Sequence, residues 1–137
     1  MARTDNLREQ HKDIVKIVTD ISGLLSPEKI KDASEVHKLL LALSGKLKMH
    51  LAAEDKVLYP YLLKSKDANV HNVAKQFIDE MGSIGTAFEG YINKWKIKTE
   101  IEKNASGFIA DTQGLFGVLG ARVGKEESVL YPMADKQ

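Results

Sequence analysis

Two eleven-residue stretches constrain this chain more than any other feature: HLAAEDKVLYP, from His50 to Pro60, and RVGKEESVLYP, from Arg122 to Pro132. Laid in register they share a glutamate at the fifth position (Glu54, Glu126) and a closing Val-Leu-Tyr-Pro, 72 residues apart. Two copies of one motif in 137 residues call for a fold built from two similar halves. The copies differ at their first position, where one has His50 and the other Arg122. On a helix, a histidine four residues before a glutamate shares its face, and that pair can hold a metal ion. An arginine cannot, because its guanidinium stays protonated and has no lone pair to give.

Apolar residues recur at helical spacing throughout, which predicts an all-α fold. Leu7, His11, Ile14, Val18, Ile21 and Leu25 form the stripe of a first helix, with Thr4 or Asp5 as its cap. A second runs from about Asp32 to Leu63, with Val36, Leu39, Leu43, Leu47, His50, Glu54, Val57 and Tyr61 on one face. Val70, Ala74, Phe77, Met81, Ile84, Phe88 and Trp95 mark a third. The stretch KIKTEIEKNAS reads as a connection, with Asn104 or Ser106 capping a fourth helix. That helix carries Phe108, Thr112, Leu115, Leu119, Arg122, Glu126, Val129 and Met133. Four amphipathic helices with short connections make an up-down-up-down four-helix bundle, one domain over residues 1–137. Pro60 and Pro132 are expected to kink or end their helices without disturbing the preceding turn. REQHKDI resembles IDEMGSI, setting His11 against Met81 at an offset of 70, close to the 72 of the other motif. The chain therefore reads as a duplicated helical hairpin with a pseudo-two-fold axis.

Composition narrows the function. With 20 basic and 19 acidic residues the net charge is +1, so no overall footprint for nucleic acid or an acidic membrane is expected. Cysteine is absent, which removes disulfides, thiolate catalysis and thiolate metal sites. The N-terminus has no apolar signal core and the longest apolar run, LLLAL, cannot span a bilayer, so a cytoplasmic location is expected.

His11 and Glu126 sit mid-stripe on the first and fourth helices, and His50 and Glu54 share a face of the second. Two imidazoles and two carboxylates thus point into an apolar interior, where ionised groups need a partner or a metal. A lone histidine there is usually a hydrogen-bonded core residue; four such residues within a repeat are a stronger signal. With LREQHKDI, HLAAE and the two LYP tails, the chain resembles the hemerythrin-like, or HHE cation-binding, family over essentially its whole length. That resemblance implies a four-helix bundle with a non-haem di-iron centre, and roles in oxygen carriage, sensing, iron handling or nitric-oxide responses. It assigns His11, His50 and the bridging Glu54 to one iron and Glu126 as the second bridging carboxylate. The other iron's terminal ligands would fall on Met81, Phe77 and Arg122, none of them the expected histidine.

Arg122 is expected to replace part of the missing second charge, pairing with Glu126 and reaching toward Glu54, while Met81 and Phe77 fill the space with apolar volume. What remains is a mononuclear site of two histidines and one or two carboxylates, suited to iron, zinc or manganese but not to two-electron oxygen binding. Two readings stay open: a metal-binding domain for sensing or metal handling, and a metal-free regulatory or interaction module. An enzymatic role ranks third, since no further acid–base group is evident.

Gly114, Gly117, Gly120 and Gly124 recur on the fourth helix opposite Glu126, a smooth face expected to admit a second copy or a partner domain. Gly82, Gly85 and Gly90 lie on the third. His37 and His71 are expected at the surface, and Trp95 at the end of the bundle.

Overall fold

A computed structural model describes residues 3–137. Helix α1 is Asp5–Gly23. Helix α2 runs without a break through Ala33–Ala53, a π-helical turn Glu54–Leu58 and Tyr59–Leu63. Helix α3 is Ala68–Trp95, and α4 is Lys98–Lys103. Helix α5 joins Ala105–Lys125, a second π-helical turn Glu126–Leu130 and Tyr131–Asp135. No strand forms among the described residues; Leu25, expected to end the first helix, instead makes an isolated bridge to Ile30.

Helix α4 corrects the expected connection. KIKTEIEKNAS folds into a short helix because Ile101 can be fully buried with the core residues Trp95 and Phe108. Among the described residues the fold therefore has five helices, four long and one short. Asn104 caps α5 as expected, accepting from the Gly107 amide at 3.1 Å. Thr4 stands at the start of α1 but does not cap it through its side chain. Its hydroxyl and amide donate to the Asp135 carboxylate at 2.9 and 3.1 Å, tying the start of α1 to the end of α5.

Contacts between the helices give their directions. Gln10 meets His50 while Asp13 meets Lys46, so α1 and α2 run antiparallel. Thr4 meets Asp135 and His11 meets Glu126, so α1 and α5 are antiparallel as well. Phe77 meets Arg122 and Trp95 meets Asp111, which makes α3 antiparallel to α5.

The two π-turns are the fold's main departure from the simple helical pattern. Each closes with the tyrosine amide donating to the carbonyl five residues back: Tyr59 to Glu54, and Tyr131 to Glu126. A proline ring one residue later would collide with the carbonyl four residues before it, and an extra residue in the turn relieves that clash. Neither proline ends its helix, and neither leaves the preceding turn undisturbed. Beyond the turn the inward face changes: Val57 and Val129 are exposed, while Leu58, Tyr59 and Leu62, and Leu130, Tyr131 and Ala134, are buried. In an unbroken α-helix, residues five apart lie about 140° apart around the axis. The inserted residue brings each tyrosine back over its glutamate.

The apolar core forms two clusters, one around Ile14, Leu47 and Leu119 and the other around Leu7, Leu58, Phe77 and Leu130. His11, His50, Glu54, Arg122 and Glu126 lie between them in sequence on every helix that carries them, and all are buried. Trp95 is buried, its indole N–H donating to Asp111 at 3.0 Å. Gly114, Gly117, Gly120 and Gly124 face outward, and a Cβ at any of them would meet nothing within 4 Å. Among the described residues no helix is long and apolar enough to cross a membrane.

Candidate metal centre

The helices bring His11, His50, Glu54 and Glu126 together, each offering one ligand atom within 4.8 Å of the others. Helix α1 supplies His11, α2 supplies His50 and Glu54 from successive turns, and α5 supplies Glu126. His11 Nε2 lies 2.7 Å from Glu126 Oε1. His50 Nε2 lies 3.3 Å from Glu54 Oε2 and 3.5 Å from Glu126 Oε1. Ligands about 2.0–2.2 Å from a shared zinc-sized ion stand at comparable mutual distances. His37 and His71 lie apart from this group; His37 instead meets the Lys96 carbonyl at 2.7 Å.

The sequence pattern does not single out Tyr131, yet its hydroxyl sits among all four residues. It donates to Glu54 Oε2 at 2.8 Å and lies 3.2 Å from Glu126 Oε1, 3.2 Å from His11 Nε2 and 3.3 Å from His50 Nε2. Its place in both LYP tails was the available signal; the π-turn that points it inward leaves none.

Burial and hydrogen bonding set the charges. Burial opposes the His50 cation, but hydrogen bonds with Glu126 and Glu54 outweigh it and raise the pKa to about 9. Burial raises Glu54, with His50 offsetting part of the shift. Burial would raise Glu126 too, but hydrogen bonds with His11, His50 and Glu54 and the Arg122 charge hold it well below the usual carboxylate range. The two glutamates thus diverge, as close carboxylates do when they cannot both ionise freely. Burial, then the nearby carboxylates, keeps Tyr131 in its neutral, hydrogen-bond-donating form.

The donor set fits one ion. Glu54 Oε1 and His11 Nδ1 are buried atoms with no hydrogen-bond partner. A free carboxylate oxygen beside two imidazoles is costly in an apolar interior and suits a cation. A void of about 10 Å³, lined in part by His11, His50, Met81, Arg122 and Glu126, approaches the size needed for one water. Leu47, Leu51 and Met81 also line a cleft of about 520 Å³ between α2 and α3, placing apolar side chains between the cluster and that opening.

The other half does not fit a second ion. Arg122 is buried, with Nε donating to Glu126 Oε2 at 3.0 Å and Nη2 to the Tyr59 hydroxyl at 2.8 Å and the Phe77 carbonyl at 2.9 Å. Its Nη1 reaches Glu80 at 3.5 Å, and its guanidinium carbon lies 4.6 Å from the centre of the Phe77 ring. The expected pairing with Glu126 is present, and the second partner is Tyr59 rather than Glu54. Met81 and Phe77 are buried, taking up volume as expected.

Two tyrosines at the same repeat position therefore face different partners: Tyr131 the histidine pair, Tyr59 the arginine. No curated protein and no solved structure matched the chain. The family profile described as Hemerythrin HHE cation binding domain matches residues 2–134, nearly the whole chain. The chain belongs to the hemerythrin HHE cation-binding family.

Proposed function

We propose that this protein is a mononuclear member of its family, holding one metal ion through His11, His50, Glu54 and Glu126. Its scaffold in this reading is an up-down-up-down four-helix bundle, a duplicated hairpin with α4 inserted before the last long helix. The observation that carries the reading is the pairing of a converged His₂Glu₂ set with a buried Arg122 on the same Glu126. The bound ion would supply Lewis acidity, or one-electron redox chemistry in the case of iron. The chain's own residues do the rest. His11 and His50 present Nε2 to the site, Glu54 and Glu126 supply negative charge, and Tyr131 offers a hydrogen bond at its centre.

Arg122 supplies a permanent positive charge where the second half would need ligands, so the two carboxylates need no second ion to offset them. One ion cannot deliver the paired electrons of reversible oxygen binding, so sensing, metal handling or regulation fits better than oxygen transport. Family membership favours iron; zinc and manganese suit the same donors.

One observation favours a metal-free module as the second reading. Tyr131 and shared protons already satisfy most of the cluster, through the 2.7 Å His11–Glu126 and 2.8 Å Tyr131–Glu54 contacts. Elemental analysis of the purified protein, with absorption spectra after anaerobic Fe²⁺ loading and air exposure, separates the two. About one metal per chain supports the first reading, none supports the second, and two per chain excludes both.

A further inference from the structure

We propose that Gln10 is the positioning residue that fixes His50 for metal binding, by accepting the Nδ1 proton of its imidazole. The inference rests on the mononuclear reading and adds a residue to it. His50 Nδ1 lies 2.8 Å from Gln10 Oε1. An amide oxygen can only accept, so Nδ1 must carry the hydrogen. In the neutral ring the lone pair is then on Nε2, the atom 3.3 Å from Glu54 and 3.5 Å from Glu126. Ring orientation and tautomer are thereby both set, as outer partners of ligating histidines generally set them.

Gln10 precedes His11, so one turn of α1 provides a candidate ligand and the partner of another. Adjacent helical residues point about 100° apart. His11 enters the core while Gln10, half-buried, meets α2 at the helix interface. Packing of α1 on α2 therefore sets the imidazole angle.

The chemistry of the two outer partners differs. His11 Nδ1 lies 3.6 Å from Glu127 Oε1, beyond hydrogen-bond range, and Glu127 is held by Arg8 at 2.8 Å. Gln10 is uncharged. A carboxylate in its place would add a further negative charge beside those of Glu54 and Glu126. The neutral amide orients His50 without that addition.

Two variants and two readouts test the inference, using Zn²⁺ as the probe ion. Gln10→Leu removes the acceptor at similar size and should weaken Zn²⁺ binding by about tenfold to a hundredfold. Gln10→Glu keeps an acceptor and should bind at least as tightly as the parent. Long-range ¹H–¹⁵N spectra of the Zn²⁺-loaded parent and of Gln10→Glu should show His50 metal-bound at Nε2 and protonated at Nδ1. In Gln10→Leu the Nδ1 proton should exchange much faster. Equal affinity for all three proteins, or His50 bound through Nδ1, overturns the role of Gln10. A parent chain that binds no Zn²⁺ or Fe²⁺ overturns the mononuclear reading instead. In that case the metal-free spectra still decide whether Gln10 protects the Nδ1 proton; an unprotected proton in the parent overturns the inference.

Discussion

Arg122 and Glu126, one helical turn apart and both buried, are joined by a 3.0 Å hydrogen bond from Nε to Oε2, while Oε1 of the same carboxylate faces His11 at 2.7 Å. One carboxylate thus connects a fixed cation on one side to a candidate metal ligand on the other. In the proposed mononuclear reading, that link is what lets the chain do without a second ion and remain folded. The arginine takes over charge compensation, and its fork engages Tyr59 and Phe77 as well.

Removing that cation should be costly. Arg122→Ala leaves Glu126 without its permanently charged partner and is expected to destabilise the fold by about 3–5 kcal/mol. Arg122→Lys should recover only part of this, since an ammonium cannot reproduce the fork. Denaturant unfolding reads both, and an unchanged midpoint for the alanine variant would contradict the role assigned to Arg122.

Restoring ligands should restore capacity. Met81→His combined with Arg122→His should raise iron stoichiometry from about one toward two per chain, with Phe77 still limiting the second position. Metal analysis after anaerobic loading measures this. A double variant that stays at one ion would show that the repeat register, or the room beside Phe77, is wrong for a second site.

Tyr131→Phe deletes the hydroxyl that donates to Glu54 at 2.8 Å while keeping the ring. Glu54 already has one oxygen without a partner, so the loss leaves the carboxylate with His50 and Glu126 as its remaining nearby polar partners. The metal-free protein should lose about 1–3 kcal/mol of stability. Tyr131→Phe should also lose less stability once metal is bound, because the ion satisfies the same carboxylate. Thermal unfolding with and without Zn²⁺ compares the two states.

His50 makes the metal-free protein sensitive to alkali. Its pKa is raised from 6.5 to about 9 by hydrogen bonds that outweigh burial, so the folded state binds its proton more tightly than the unfolded chain does. The resulting stability is fully present below about pH 6.5 and is lost as pH rises through about 9. Glu54, raised chiefly by burial, acts in the same direction. His50→Gln should flatten the stability profile across that window; an equally steep decline in the variant would assign the effect elsewhere.

The sequence alone determined the helical class, the repeat and the identity of the four clustered histidine and glutamate residues. Each rests on spacing along one chain: three and four residues for a helix face, about 70 for the two halves. Arg122 beside Glu126 was legible for the same reason, as a pair one turn apart. The folded structure decided what spacing leaves open. Val57 and Tyr61 suit a continuous apolar stripe as well as Leu58 and Leu62 do, and only the packed π-turns put the second set inside. Those turns place Tyr131 at the centre of the cluster and Tyr59 against Arg122. Partners more than thirty residues apart, such as Gln10 with His50, depend on how helices dock. A side chain's periodicity says which face it occupies, but only packing between helices says what it meets there.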